Sequence, residues 1–201
     1  MQTIQHVASR FSALVLAFAL LVSSPALGQE QPPTPGAPGS GDPGMNDPIA
    51  YAESAGIPEI AAEATVLDAD GNVLREGTNT WTCMAIPQAP MCVDPQWMAL
   101  MSALMDGDKA FEATEVGLSY MLRGDAGASN TDPSATGPTP DNDWVVTGPH
   151  IMLIAPNPST LAGIPTEPSG GGPYVMWSGT PFAHVMIPVE GNAVTMPDRA
   201  R

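Results

Sequence analysis

Apolar and polar positions along the chain follow two periods. Alternation of two dominates "EATVLDADGNVLREG", where apolar residues flank Asp70-Gly71-Asn72. Gly and Asn tolerate the positive φ of a tight turn, so this stretch predicts a β-hairpin. "NTWTCMA" and "VGLSYMLRG" predict two further strands, and so do "DWVVTGPHIMLIAP", "PYVMWSG" and "PFAHVMIPV" near the C-terminus. The last two are separated by Ser178 to Pro181, which predicts a second hairpin centred near Gly179 and Thr180. In that register Met176 falls opposite His184, and Tyr174 falls opposite Met186.

The helical period appears strongly once, in "VDPQWMALMSALMDGD". Trp97, Leu100, Met101, Leu104 and Met105 recur at spacings of three and four and make one apolar face. Asp94 can cap the free amides, Pro95 suits the first helical position, and Gly107 suits the left-handed residue after the end. Met98, Met101 and Met105 form a stripe on this helix, which reads as core filler because Met adapts to irregular gaps. "DPIAYAESAGIPEIAAEA" predicts one or two short helical turns after Asp47. The pattern as a whole predicts an α+β fold: a mainly antiparallel sheet of seven or eight strands, open to closure into a partial barrel or sandwich, with one firm helix packed on it.

Three stretches carry neither period. Residues 1–28 combine Arg10, an apolar run from Phe11 to Val22 and small residues at Ala26 and Gly28, the arrangement of a secretory signal peptide. The run is shorter than the roughly 20 residues a bilayer requires, and no later segment predicts a transmembrane helix. Residues 29–47, "QEQPPTPGAPGSGDPGMND", hold too little apolar material for a core and predict a disordered linker. That leaves 48–201 as one β-rich domain, exported to the periplasm or the extracellular space. Residues 124–143, "GDAGASNTDPSATGPTPDND", predict a long loop. Its Asp125, Asn130, Asp132, Asp141, Asn142 and Asp143 offer oxygens to a hard cation, yet no spacing motif organises them. "DADGN" looks like the start of a calcium loop, but its twelfth position is Asn79, so the hairpin reading prevails.

Charge narrows the partners. The chain has six Lys and Arg against 21 Asp and Glu. Without Arg10 the mature chain would have five against 21, a net charge of −16. Nucleic acid and anionic lipid are recruited chiefly by Lys and Arg, so neither is expected as a partner. The two cysteines, Cys83 and Cys92, predict a disulfide in an oxidising compartment, because a redox pair usually has C-x-x-C spacing.

Catalytic signatures are sparse. The sequence contains no G-x-S-x-G, H-E-x-x-H, P-loop or G-x-G-x-x-G pattern, and after residue 28 it has two histidines and one lysine, Lys109. A Ser, His and Asp arrangement built on His150 or His184 needs only geometry, and paired carboxylates among Glu112, Glu115 and the polar loop are a further option. Methionine, by contrast, is abundant, with 12 in the chain. Both His150 and His184 are followed two residues later by a Met, and in a strand positions i and i+2 share a face. His150 with Met152, and His184 with Met186, therefore each present an imidazole beside a thioether, a pairing that favours copper, above all Cu(I). With Met176 these residues form the candidate metal set. The competing reading is a two-sided core, because both strands are apolar on the opposite face as well. Three functions follow as expectations: a non-enzymatic binding module that takes copper, a small secreted hydrolase using His150 or His184, or an envelope scaffold or adhesion module.

Overall fold

The computed structural model describes residues 46–168, 170–190 and 194–195. Residues 1–28, expected to be a signal peptide, and nearly all of 29–47, expected to be a linker, lie outside the described residues. Two short helices come first, α1 (Pro48–Glu53) and α2 (Pro58–Ala61). They are followed by β1 (Thr65–Leu67), β2 (Val73–Arg75), β3 (Thr82–Met84), β4 (Met91–Val93), α3 (Pro95–Asp106) and β5 (Gly117–Met121). Next are β6 (Ala128–Ser129), β7 (Trp144–Thr147), β8 (His150–Ile154), a 3₁₀ turn (Pro158–Leu161), β9 (Tyr174–Met176), β10 (His184–Pro188) and β11 (Val194–Thr195).

Eight strands form one sheet in the order β2-β1-β3-β4-β5-β8-β10-β9, and β7 pairs with β6 and β11 in a small second sheet. The large sheet is mixed, not purely antiparallel, and it does not close into a barrel. β1 and β3 run parallel, with Val66 opposite Cys83. The cause is local. After the β1–β2 hairpin the chain crosses directly over residues 63–65, where Thr78 and Asn79 donate backbone N–H bonds to Glu63 O. A Cβ on Gly77 would lie 2.2 Å from Thr65 N, so only glycine permits that crossing.

The two faces of the large sheet are covered separately. On one face Val66, Cys83 and Cys92 pack under Tyr51, Ala52, Ala55, Ala61 and Ala64 around the Cys83–Cys92 disulfide, which joins directly opposed residues of β3 and β4. Further along that face Val175, Val185 and Leu153 are covered by Leu161 and Ile164. The opposite face carries the main core, in which Met121, Met152, Ile154, Tyr174, Met176 and Met186 pack with Trp97 and Leu100 of α3 and Val145 of β7.

Helix α3 begins and ends where the sequence predicts. Asp94 Oδ1 accepts from Trp97 N at 2.7 Å, and Gly107 adopts φ 67°. Asp94 Oδ2 also accepts from Leu118 N, which ties the helix start to β5. Met105 is the exception on the expected apolar face. It lies in the last turn, beyond the sheet, and is 77% exposed.

The 124–143 stretch is not structureless. Ser129 Oγ accepts from Thr131 N and Asp132 N and donates to Asn142 O, while Asn142 spans Gly137 and Thr139. Such side-chain to backbone bonds have no hydrophobic period, so pattern reading overlooks them. Among the described residues no three His, Cys, Asp or Glu side chains gather as a metal cluster. No helix among them is long and apolar enough to cross a membrane.

Candidate functional site

The alternation of β8, β9 and β10 sends His150, Met152, Tyr174, Met176, His184 and Met186 to one face, and all six are buried. Registers fix their order. Met176 is opposite His184 and Tyr174 is opposite Met186, as the hairpin reading predicts. Met152 is opposite Met186, whereas His150 is opposite Pro188 on one side and Met121 of β5 on the other. The five candidate residues therefore form a line. His150 stands at one end, Met152 with Met186 in the middle, and His184 with Met176 at the far end. The pairing places His184 level with Ile154, four positions or about 13 Å along β8 from His150. A single ion bonded at about 2 Å to each ligand nitrogen would have to reach past the two intervening thioethers to hold both imidazoles.

The two rings share one local device. His150 Nδ1 lies 2.7 Å from Gly148 O, and His184 Nδ1 lies 2.9 Å from Phe182 O, in each case the carbonyl two residues earlier. A carbonyl only accepts, so Nδ1 carries the proton in both rings. In the neutral imidazole Nε2 is then left with its lone pair.

The surroundings differ. His184 sits between Trp97 and Trp177, with centroids 5.2 and 4.8 Å away and both ring pairs edge-on at 83°. Burial pushes its pKa down to about 4, opposed by the bond to Phe182 O and reinforced by charge on His150. Strand alternation places Trp177 on the other face from Met176, and this expectation fails. Trp177 has φ 55°, which ends the alternation and turns its ring onto His184, where Nε1 donates to Ser129 O.

His150 instead faces a carboxylate. Its Nε2 is 3.9 Å from Asp125 Oδ2, too long for a hydrogen bond, and it has no hydrogen-bond partner. Asp125 Oδ1 accepts from Gly127 N and Thr147 N, and Thr147 Oγ1 is 3.2 Å from the Tyr174 hydroxyl. Burial raises the Asp125 pKa against the attraction of His150 and those N–H groups, and burial lowers the His150 pKa against the attraction of Asp125. Burial also pushes Tyr174 up to about 12. Both members of the His150–Asp125 pair are thus driven towards their neutral forms.

No family model, curated protein or solved structure matches this chain. The site must be read from its own geometry.

The sequence reading does not place three side chains beside these histidines. Met121 lies directly across from His150, Asp125 faces it, and Ser119 is fully buried on the same face with an unpartnered Oγ. The alternation of "VGLSYM" does put Ser119 and Met121 on one face, but only strand order sets that face beside β8. The hydrolase expectation meets a sealed site, since His150, His184 and Ser119 are each at most 1% exposed. A cleft of about 480 Å³ lies between Leu100, the 109–113 segment, the 154–158 segment and Pro181, and neither histidine lines it.

Proposed function

We propose that the protein is an exported, non-catalytic β-rich binding module that holds one cuprous ion at the His150 end of its histidine and methionine layer. The observation that carries this reading is the buried Nε2 of His150, which has a free lone pair and no hydrogen-bond partner. Met121 stands directly across from it and Met152 two residues along the same face, with Met186 next in line. Imidazole with thioethers is a donor set that selects Cu(I) over oxygen-seeking cations. A buried cation needs a counter-charge, and Asp125 supplies one at the same end of the layer. Metal binding would return that carboxylate to its ionised form. His184 and Met176 form the far end of the layer, where the tryptophans seal them in. Export accords with the disulfide and with the secretory pattern of residues 1–28.

Copper titration during refolding under reducing conditions, against a Cu(I) chelator, tests the reading. One equivalent is expected to bind. His150→Ala should weaken binding by about 100-fold or more and Met152→Leu by about tenfold, the scale of one to two ligand bonds. His184→Phe should change affinity by less than about threefold. Absence of stoichiometric Cu(I), or equal losses at His150 and His184, overturns it.

A further inference from the structure

The cleft beside Leu100 is lined by none of the histidines and methionines of the copper layer. Its volume, about 480 Å³, falls within the roughly 300–1,000 Å³ of small-molecule sites. We propose that it binds a small zwitterion with an apolar body, of the α-amino acid class, with Lys109 for the carboxylate, Glu112 for the ammonium group and an apolar floor for the side chain.

Both walls of the cleft are held by side-chain bonds to the backbone. Asp108 Oδ1 accepts from Ala110 N at 2.9 Å, and Gln96 Oε1 accepts from Thr114 N, Thr114 Oγ1 and Glu115 N, which together set the path of residues 108–115. Across the cleft Asn157 Oδ1 accepts from Ser159 N, and the Asn157 carbonyl accepts from Thr160 Oγ1. Walls fixed in this way lose little freedom when a ligand is bound. The floor between them is apolar. Leu100 and Ile154 are each 1% exposed, and half-buried Phe111 stacks on Phe182 with centroids 6.2 Å apart and ring planes 20° apart.

Charge at the rim selects the ligand. The chain has six Lys and Arg against 21 Asp and Glu, so acids are in ample supply for every base. Among the described residues Arg75 pairs with Glu53 and Arg123 has an interaction of its own, yet Lys109 has no ion pair. It is exposed on the cleft wall, three residues before the exposed Glu112 on the same wall. A ligand with only a carboxylate would meet Glu112 and the acidic field of the chain, and one with only an amine would meet Lys109. A zwitterion answers both charges at once. Its apolar side chain then takes floor area out of water, which is the non-directional part of binding.

NMR titration of the full chain with L-phenylalanine, read at the backbone amides, provides the test. The probe has about twelve non-hydrogen atoms, which at the efficiency usual for drug-sized ligands gives a Kd on the order of 1 mM. Saturable shifts are expected at Ala110, Phe111, Ala155 and Ala183. 3-Phenylpropionate, which lacks the ammonium group, and phenethylamine, which lacks the carboxylate, should each bind about threefold more weakly or worse. L-Phenylalanine should lose as much on Lys109→Gln and on Glu112→Gln. Both side chains are exposed, so these variants leave the core intact, and unchanged amide spectra away from the cleft confirm it. No saturable shift up to about 20 mM, far above the expected Kd, overturns the proposal. So does equal affinity for the three probes, or a Kd unchanged in either variant. Because neither histidine lines this cleft, failure here leaves the His150 site standing, and the reverse also holds.

Discussion

His150 and His184 begin from the same sequence device and end in different chemistry. Each is a strand histidine with its Nδ1 on the carbonyl two residues earlier and a methionine two residues later. His184 is held by aromatic rings from α3 and from the β9–β10 turn, and burial is the largest influence on its protonation. His150 meets a carboxylate delivered by the β5–β6 loop and keeps an unclaimed lone pair. A motif therefore fixes the tautomer, while neighbours brought by other elements decide whether the remaining nitrogen is packing or a ligand.

The largest expected effect breaks the aromatic side of this comparison. Trp97 is 3% exposed at the centre of the core, so Trp97→Ala should cost about 3–5 kcal/mol in denaturant unfolding. A loss below about 1 kcal/mol would mean that the ring contributes little to holding His184.

A smaller effect distinguishes the two rings by pH. His184 has a folded pKa of about 4 against an ordinary 6.5. Its contribution is fully present above pH 6.5, because both states are then neutral. Below that value the unfolded chain takes up a proton that the folded chain refuses, and stability falls by about 3 kcal/mol on reaching pH 4. At His150 the lowered imidazole pKa acts in the same direction, whereas the raised Asp125 pKa adds stability as pH falls, so the two members of the pair act in opposite directions. Unfolding measured across pH 4 to 7 should therefore show a shallower slope in His184→Phe. Retention of the full slope in that variant would move the titrating group elsewhere.

The smallest effect runs opposite to ordinary core damage. In Asp125→Asn, Oδ1 can keep its bonds from Gly127 N and Thr147 N while the amide donates towards His150 Nε2. Metal-free protein at pH 7 should gain about 1 kcal/mol, since a satisfied neutral bond replaces a buried carboxyl facing a lone pair. Destabilisation by a similar amount would show that the carboxylate already has a cation to neutralise.

Local regularities made much of this fold legible. The Asp70-Gly71-Asn72 hairpin, α3 with its Asp94 cap and Gly107 end, the cysteine pair and the Met176–His184 register each depend on residues close in sequence. The parallel β1–β3 pairing was hidden because it depends on a backbone crossing at Gly77, which leaves no periodic trace. The ordered 124–143 loop was hidden for a related reason, as its turns are held by side-chain oxygens and not by burial.

The sequence by itself determined which face each strand residue occupies, and hence that both histidines share a layer with methionines, because side chains alternate with period two. Only the tertiary structure decided who stands beside them. The order β5-β8-β10-β9 set Met121 across from His150, the β5–β6 loop brought Asp125 to its Nε2, and the positive φ of Trp177 closed an aromatic clamp on His184. Apart from Trp177 and His184, seven positions apart, these contacts join residues 25 to 87 positions apart, a range over which no local period carries information.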